Sequence, residues 1–364
     1  MMRNLIKKTV ILLLCLAVLL VGFLIFHMQI RTNVTTDEVV PLNEQDEINI
    51  AAKKAEKIVE DLTTTYAARG VHAKGHACVK AYVEVNKYLE PTLQHGVFET
   101  PGRQFKAWIR FSNSSSNMAY QDDNAKDARG MAIKILHAGA NLNGGRTQEF
   151  IAHNSPAFFV NSVKDYNDFV ATKGDPLYFI QGYNPFKWRL RELWQLVTAY
   201  APPPPSPLWT EYFSNTAYKL GPHNIKFKMK PCGELINPDI VQSKDPDFLQ
   251  HNLAKELAND DACMLLMAQK QNINKEMPIE DPTVLWKEEE SYFIPVAKIT
   301  ILRQMFDSPE QQKFCEDLSF SPWNALEAHR PIGALNRARK WVYEASSHFR
   351  HQANHTEVPI ELDW

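Results

Sequence analysis

An excess of charge of one sign, CxxC motifs and internal repeats are all missing from this 364-residue sequence. The 40 Lys and Arg residues are balanced by 42 Asp and Glu residues, which excludes the basic excess of a general nucleic-acid binder. Cysteine occurs only at positions 15, 78, 232, 263 and 315, without a CxxC pair or a Cys/His cluster at zinc spacing. Cys15 falls in a long apolar run. The other four allow disulfides in an oxidising compartment or unpaired buried thiols equally, and the sequence assigns no bridge. What is present is a 45% hydrophobic fraction and 11% aromatics, including eight Trp and 19 Phe, enough for a substantial core and for flat apolar surfaces besides.

The one uninterrupted apolar segment is TVILLLCLAVLLVGFLIFHM, Thr9 to Met28. About 20 such residues span a bilayer as a helix. Arg3, Lys7 and Lys8 precede it and favour an N-terminus left in the cytosol. The run exceeds the usual signal-peptide core, and no small-x-small cleavage site follows it. The expectation is a single-pass anchor at 9–28 behind a short cytosolic stretch, 1–8, with the remainder outside the cytosol and periplasmic in a bacterium. A cleaved signal peptide is the alternative. Residues 29–48 are polar without apolar periodicity and read as a tether, leaving 49–364 as one domain.

Within that domain, Ile50, Ala51, Ala55, Ile58, Val59 and Leu62 recur at helical spacing. VKAYVEV, FKAWIRFS, GMAIKIL and EFIAHN read as strands, separated by the turn-forming PG, NSSSN and NGG. A helix around 189–200 stops at APPPPSP, which reads as an extended crossing. Strands resume at AYKLG and NIKFKMK, followed by helical segments near 250–272, a strand pair in YFIPVAKITIL and a helix around 333–350. This order predicts an α+β fold around an antiparallel sheet or barrel.

Four stretches carry chemistry. RGVHAKG sets His72 between apolar neighbours, three residues after Arg69. In KAWIRFSN, alternation places Trp108, Arg110 and Ser112 on one strand face and Ala107, Ile109 and Phe111 on the other. His153-Asn154-Ser155-Pro156, followed by Phe158 and Phe159, puts polar side chains beside aromatic rings. Near the C-terminus Arg339 and Tyr343 stand one helical turn apart, where a guanidinium favours the phenolate form of a Tyr whose ordinary pKa is about 10.

Taken singly, each has an ordinary structural explanation. Their order is specific: RGVHAKG, WIRFSN, DARGMAIKI, NSPAFFV and the late R-x-x-x-Y resemble the haem catalase family from about residue 60 to 350. YFSNTAYKLG and the tail SFSPWNAL-x-x-HRPIGALNRAR-x-x-VY look more like the shorter catalase-related haem proteins and peroxidases than the full-length cytosolic enzymes. The resemblance implies a catalase-like antiparallel β-barrel surrounded by helices, haem b as the cofactor, and decomposition of hydrogen peroxide or an organic hydroperoxide in the response to oxidative stress. Residue by residue, it makes Tyr343 the iron ligand and Arg339 its charge partner. His72 becomes the distal base held by Ser112, Arg69 and Arg110 the partners of the haem carboxylates, and Val71 and Phe158 pocket walls. Asp127-Ala128-Arg129-Gly130 matches an element taken as structural.

Two departures follow from the same resemblance. His153 occupies the register of the family's distal Asn unless a one-residue bulge restores Asn154, and Tyr166 falls where larger relatives stack a Phe on the haem. The chain also lacks the long N-terminal arm and the flavodoxin-like domain of larger relatives, which implies a more open pocket, a weak homo-oligomer and a bias toward peroxidase chemistry. A lipid-hydroperoxide enzyme of allene oxide synthase type and a non-catalytic catalase-fold domain are the competing readings. The first is disfavoured because Val71, not Thr, precedes His72.

Overall fold

The computed structural model describes residues 2–29, 32–115, 121–233, 243–359 and 363–364. Its centre is an antiparallel sheet whose strands are β1 (Gly75–Val85), β2 (Gln104–Asn113), β3 (Arg129–Ile135), β4 (Gln148–His153), β5 (Tyr212–Phe213), β6 (Tyr218–Leu220), β7 (His223–Pro231), β8 (Ala262–Lys270) and β9 (Phe293–Ile301). They are ordered β5-β4-β3-β2-β1-β9-β8-β7-β6, and an additional β5–β7 pairing closes the sheet into a barrel. Closure removes the exposed edges that an open sheet would present.

Alternation along each strand fills the barrel. Val79 pairs with Ile109, Ile109 with Ile133 and Ile133 with Phe150, all buried in the interior. Met229, Leu266 and Ile299 complete the far side. The opposite face of the same strands carries Cys78 opposite Arg110 and Ser112 opposite Gly130. Trp108, Arg110 and Ser112 therefore share the outer face, and Ala107, Ile109 and Phe111 share the core, as alternation predicts.

The helices lie outside the barrel: α1 (Met2–Met28), α2 (Glu44–Leu62), α3 (Val163–Ala171), α4 (Leu190–Ala199), α5 (Phe248–Asn259), α6 (Pro309–Asp317) and α7 (Ala334–Asn354). Helix α7 starts where Gly333 takes φ 89, in a cramped site where a Cβ would meet Ile279 O at 2.5 Å. It packs along α2, and both close over the outer face of β2–β4. Helix α6 lies across β1, with Gln311 Nε2 donating to Cys78 O at 2.7 Å.

Two sequence expectations change, and the open question of the cysteines is answered. The helical reading near 250–272 holds only as far as Asn259, because ACMLLMAQK is strand β8, paired on both sides by β7 and β9. A strand covered on both faces, as β8 is from Leu266 to Gln269, reads as a continuous apolar run that periodicity does not distinguish from helix. YFIPVAKITIL contributes one strand, β9, not a pair. Cys232 and Cys263, to which the sequence assigned no bridge, form a disulfide with Cα atoms 5.4 Å apart. The polar segment before α2 is bound to the domain: Glu38 pairs with Arg330 and Arg337 at 2.7 Å, and Asn224 donates to Thr36 O.

Candidate active site

Between the outer face of β2–β4 and helices α2, α3 and α7 lies a cleft of about 1030 Å³, mouth included. The strand wall is set by register. Ser112 pairs with Gly130, and Gly130 with His153, so the three lie side by side on the outer face. The middle position has no side chain, and the His72 ring fills that space. A Cβ on Gly130 would lie 2.6 Å from His72 Nδ1 and 2.9 Å from Ser112 Oγ.

His72 itself is in the left-handed region, φ 55, a conformation that costs a non-glycine residue about 1 kcal/mol or more. Hydrogen bonds hold it there. Its N–H donates to Ser114 O at 3.0 Å, and Arg110 Nη2 donates to its carbonyl at 2.9 Å. The ring is fixed by a 3.0 Å contact between Nδ1 and Ser112 Oγ. Burial, followed by the charges of Arg110 and Arg339, lowers its pKa to about 4, so the imidazole is neutral at pH 7.

His153 lines the cleft 6.0 Å, ring to ring, from His72. Its pKa falls to about 3 through burial, the neighbouring His72 imidazole and the charge of Arg339. Its Nδ1 is buried without a hydrogen-bond partner among the described residues. Asn154 is turned away: its N–H donates to Arg129 O at 3.0 Å and its Oδ1 accepts from Arg129 N–H at 2.8 Å. The β3–β4 register runs without a shift to His153, so the bulge that would bring Asn154 into the cleft is absent. Phe158 packs 5.9 Å from the His153 ring, behind the cleft wall.

The helical wall presents Tyr343, with Val342, Ser346, Ser347 and Arg350, from α7. Arg339, one turn before Tyr343, donates from Nη2 to the phenol oxygen at 3.0 Å. Its Nη1 reaches Tyr218 Oη and Asn336 Oδ1, each at 3.1 Å. Against the cost of burial, Tyr218 and Tyr343 raise the Arg339 pKa, so the guanidinium stays charged beside the phenol. Tyr166 of α3 lines the same space, its pKa raised by burial and by Tyr343. Val71 faces the cleft from the loop before β1.

At one end stand Arg69, Arg110 and Arg350. Arg69 is not free for a ligand's carboxylate: its Nη1 lies 2.6 Å from Glu316 Oε2, and Arg110 Nη2 lies 3.7 Å from Glu316 Oε1. Although burial raises the Glu316 pKa, Arg69, Arg110 and Arg350 together lower it, so the carboxylate stays ionised. Sequence reasoning missed both Arg350 and Glu316. The signal for Arg350 was its place two helical turns after Tyr343, on the same face of α7.

Asp127 and Arg129 lie behind this site. Asp127 accepts from Ser114 Oγ and from Ser115 N–H, and Arg129 Nη2 donates to the carbonyls of Asp123 and Ala125 at 3.2 and 3.0 Å. They fix the turn that delivers Gly130.

The donor set fits haem. It offers a phenol paired to a guanidinium, a neutral imidazole, an apolar stretch of Ile58, Ala132, Ile151, Leu318 and Phe320 for a flat macrocycle, and arginines for two carboxylates. The Glu316 carboxylate is the one feature that opposes it.

Residues 47–188 match the family model for catalase. The chain is 23% identical over 320 residues to a catalase of Latilactobacillus sakei, covering 80% of this chain and 64% of the relative. It is 24% identical over 277 residues to a catalase of Alkalihalophilus pseudofirmus, covering 68% of this chain and 39% of the relative. The matches therefore span less than two thirds of these curated relatives. Among solved structures, a fungal catalase superposes with a TM-score of 0.68 at 17% identity, covering 91% of this chain and 69% of that one. Catalase A from Saccharomyces cerevisiae gives 0.64 at 17% identity, covering 91% and 72%. At that identity the solved structures establish the fold.

Proposed function

We propose that this chain, which belongs to the haem catalase family, is a membrane-anchored, haem-dependent oxidoreductase that decomposes hydrogen peroxide. The observation that carries the reading is one cleft lined by both a neutral, fixed imidazole, His72, and a phenol held by a guanidinium, Tyr343 with Arg339.

Haem, when bound, would supply redox-active iron whose electronics a phenolate ligand tunes. The chain's residues do the rest. Tyr343 is the ligand, and Arg339 stabilises its anionic form. With Nδ1–H donated to Ser112, His72 keeps Nε2 as a proton acceptor. It takes a proton from peroxide in the cleft and returns it to the oxygen that leaves as water. A pKa near 4 keeps that nitrogen unprotonated across the physiological range. Arg69, Arg110 and Arg350 supply positive charge at the end of the cleft, where Glu316 competes with the haem carboxylates for Arg69 and Arg110. Tyr166 and Val71 enclose the ring, and Phe158 backs His153. Asn154, committed to the Arg129 backbone, has no part. His153 offers an imidazole where a carboxamide orients peroxide in the family pattern, and this favours reduction by an external donor, or an organic hydroperoxide substrate, over dismutation.

Anchoring rests on Ile6–Met28, a helix of mean hydropathy 3.2. Its final turns pack on the domain, with Phe23 and Phe26 at 5.7 and 5.6 Å from Phe186. The Cys232–Cys263 disulfide favours an oxidising compartment for the body of the protein, beyond a cytosolic N-terminus.

The test is an absorption spectrum of the purified chain titrated with haem, followed by peroxide addition with oxygen detection. A ferric tyrosinate spectrum, lost in Tyr343→Phe, with peroxide consumed, is the expected result. Failure to take up haem would overturn the reading.

A further inference from the structure

Helix α6 lays two adjacent residues on the outer face of the barrel, and only Glu316 belongs to the cleft described above. Its neighbour Cys315 is buried in the same apolar cluster as Cys78 of β1, where the two thiols interact. Trp108, Leu136 and Leu318 wall the pair in with apolar surface. On the remaining side are guanidiniums. Cys78 sits directly across the β1–β2 ladder from Arg110, and Arg69 Nη2 donates to Cys315 O at 3.0 Å.

The geometry points to Cys78 and Cys315 as a dithiol that a hydroperoxide oxidises to a second disulfide, stapling α6 to β1 beside the arginine cluster. Thiols reactive toward peroxide sit next to positive charge, because the thiolate is the nucleophile. Burial raises the Cys315 thiol, but the neighbouring Cys78 thiol and the charges of Arg110 and Arg69 outweigh it and leave its pKa below the usual range. Cys78 is pushed the other way by burial and by its partner. One thiol is thus prepared to attack and the other to resolve.

The step balances. The Cys315 thiolate attacks one peroxide oxygen; the O–O bond breaks, an S–O bond forms, and the departing hydroxide takes a proton to become water. Cys78 then attacks the sulfenic sulfur, the S–O bond breaks, and the second oxygen leaves as water while the S–S bond forms. The two sulfurs lose two electrons in all, and peroxide gains them. Because Arg69 and Arg110 also line the cleft, the entry route for peroxide and the dithiol share the same charged side chains. Closing the bridge fixes α6, and with it the Glu316 carboxylate on Arg69 and Arg110.

The inference does not depend on haem, because the readout is on the chain's own sulfurs. The full chain in detergent is reduced, exposed to hydrogen peroxide in stoichiometric steps, alkylated under denaturing conditions and digested with trypsin without reductant. The expected product is peptide 75–80 linked to peptide 314–337, appearing with peroxide and abolished by dithiothreitol. In Cys78→Ser the resolving thiol is gone, and dimedone is expected to trap a sulfenic acid on Cys315. Recovery of both peptides as alkylated thiols, or over-oxidation of Cys315 without a link, would overturn the proposal. So would a Cys78→Ser chain that is folded by circular dichroism yet leaves Cys315 unmodified.

Discussion

Arg339 donates to the phenol oxygen of Tyr343 at 3.0 Å across a single turn of α7, and the same guanidinium is held from behind by Tyr218 and Asn336. The phenol therefore faces a charge that cannot swing away. Replacing Arg339 with Gln keeps a hydrogen-bond donor but removes that charge, so haem affinity is expected to fall on the order of tenfold, one charge-assisted hydrogen bond. Spectroscopic haem titration checks this; an unchanged dissociation constant and unchanged ferric bands would refute it.

His72 tests the proton-transfer role separately from haem binding. His72→Gln is expected to reduce peroxide turnover by roughly 10²–10⁴-fold, the range for a lost general base, while haem uptake persists. Gly130→Ala places a methyl group 2.6 Å from His72 Nδ1 and should reproduce the loss with an intact fold. Equal loss of haem binding in both variants would assign His72 to the pocket's structure instead.

Glu316 competes with the haem carboxylates for Arg69 and Arg110. Glu316→Gln removes the competing charge, and haem affinity is expected to rise about tenfold, equivalent to one charge-assisted contact released. Unchanged or weaker binding would show that Glu316 serves to position the arginines.

His153→Asn supplies an amide where an imidazole stands with a nitrogen that has no partner among the described residues. Oxygen release relative to dye oxidation should increase severalfold, read with an oxygen electrode and a peroxidase dye on the same preparation. An unchanged ratio would remove His153 from the choice between the two reactions.

Acid should destabilise the domain earlier than its carboxylates alone would dictate. The pKa values of His72 and His76 fall to about 4, and those of His153 and His329 to about 3, all chiefly through burial. The unfolded chain binds these protons near pH 6.5 and the folded chain refuses them. Their contribution is thus complete above about pH 6.5 and is lost progressively down to pH 4 and below. Each histidine shifts the folding equilibrium by about tenfold per pH unit within that window. Thermal midpoints between pH 7 and pH 4.5 should fall steeply, and His329→Gln, distant from the cleft, should flatten the slope.

The sequence by itself determined most of the local architecture. Strands β1 to β4 were legible because one face of each is core and the other is not, so alternation showed. The Arg339–Tyr343 spacing was legible because a helix repeats every 3.6 residues. Strand β8 was not, since burial on both of its faces makes it apolar throughout and erases the period. Only the tertiary structure decided whether His153 or Asn154 enters the cleft, because that depends on the register of β4 against β3. It alone placed Glu316 on Arg69 and Arg110, and Cys315 on Cys78, contacts between residues more than 200 positions apart. Periodicity is a property of neighbours in the chain. A hydrogen bond or thiol contact across the fold depends on where two remote backbones meet, and no local pattern encodes that.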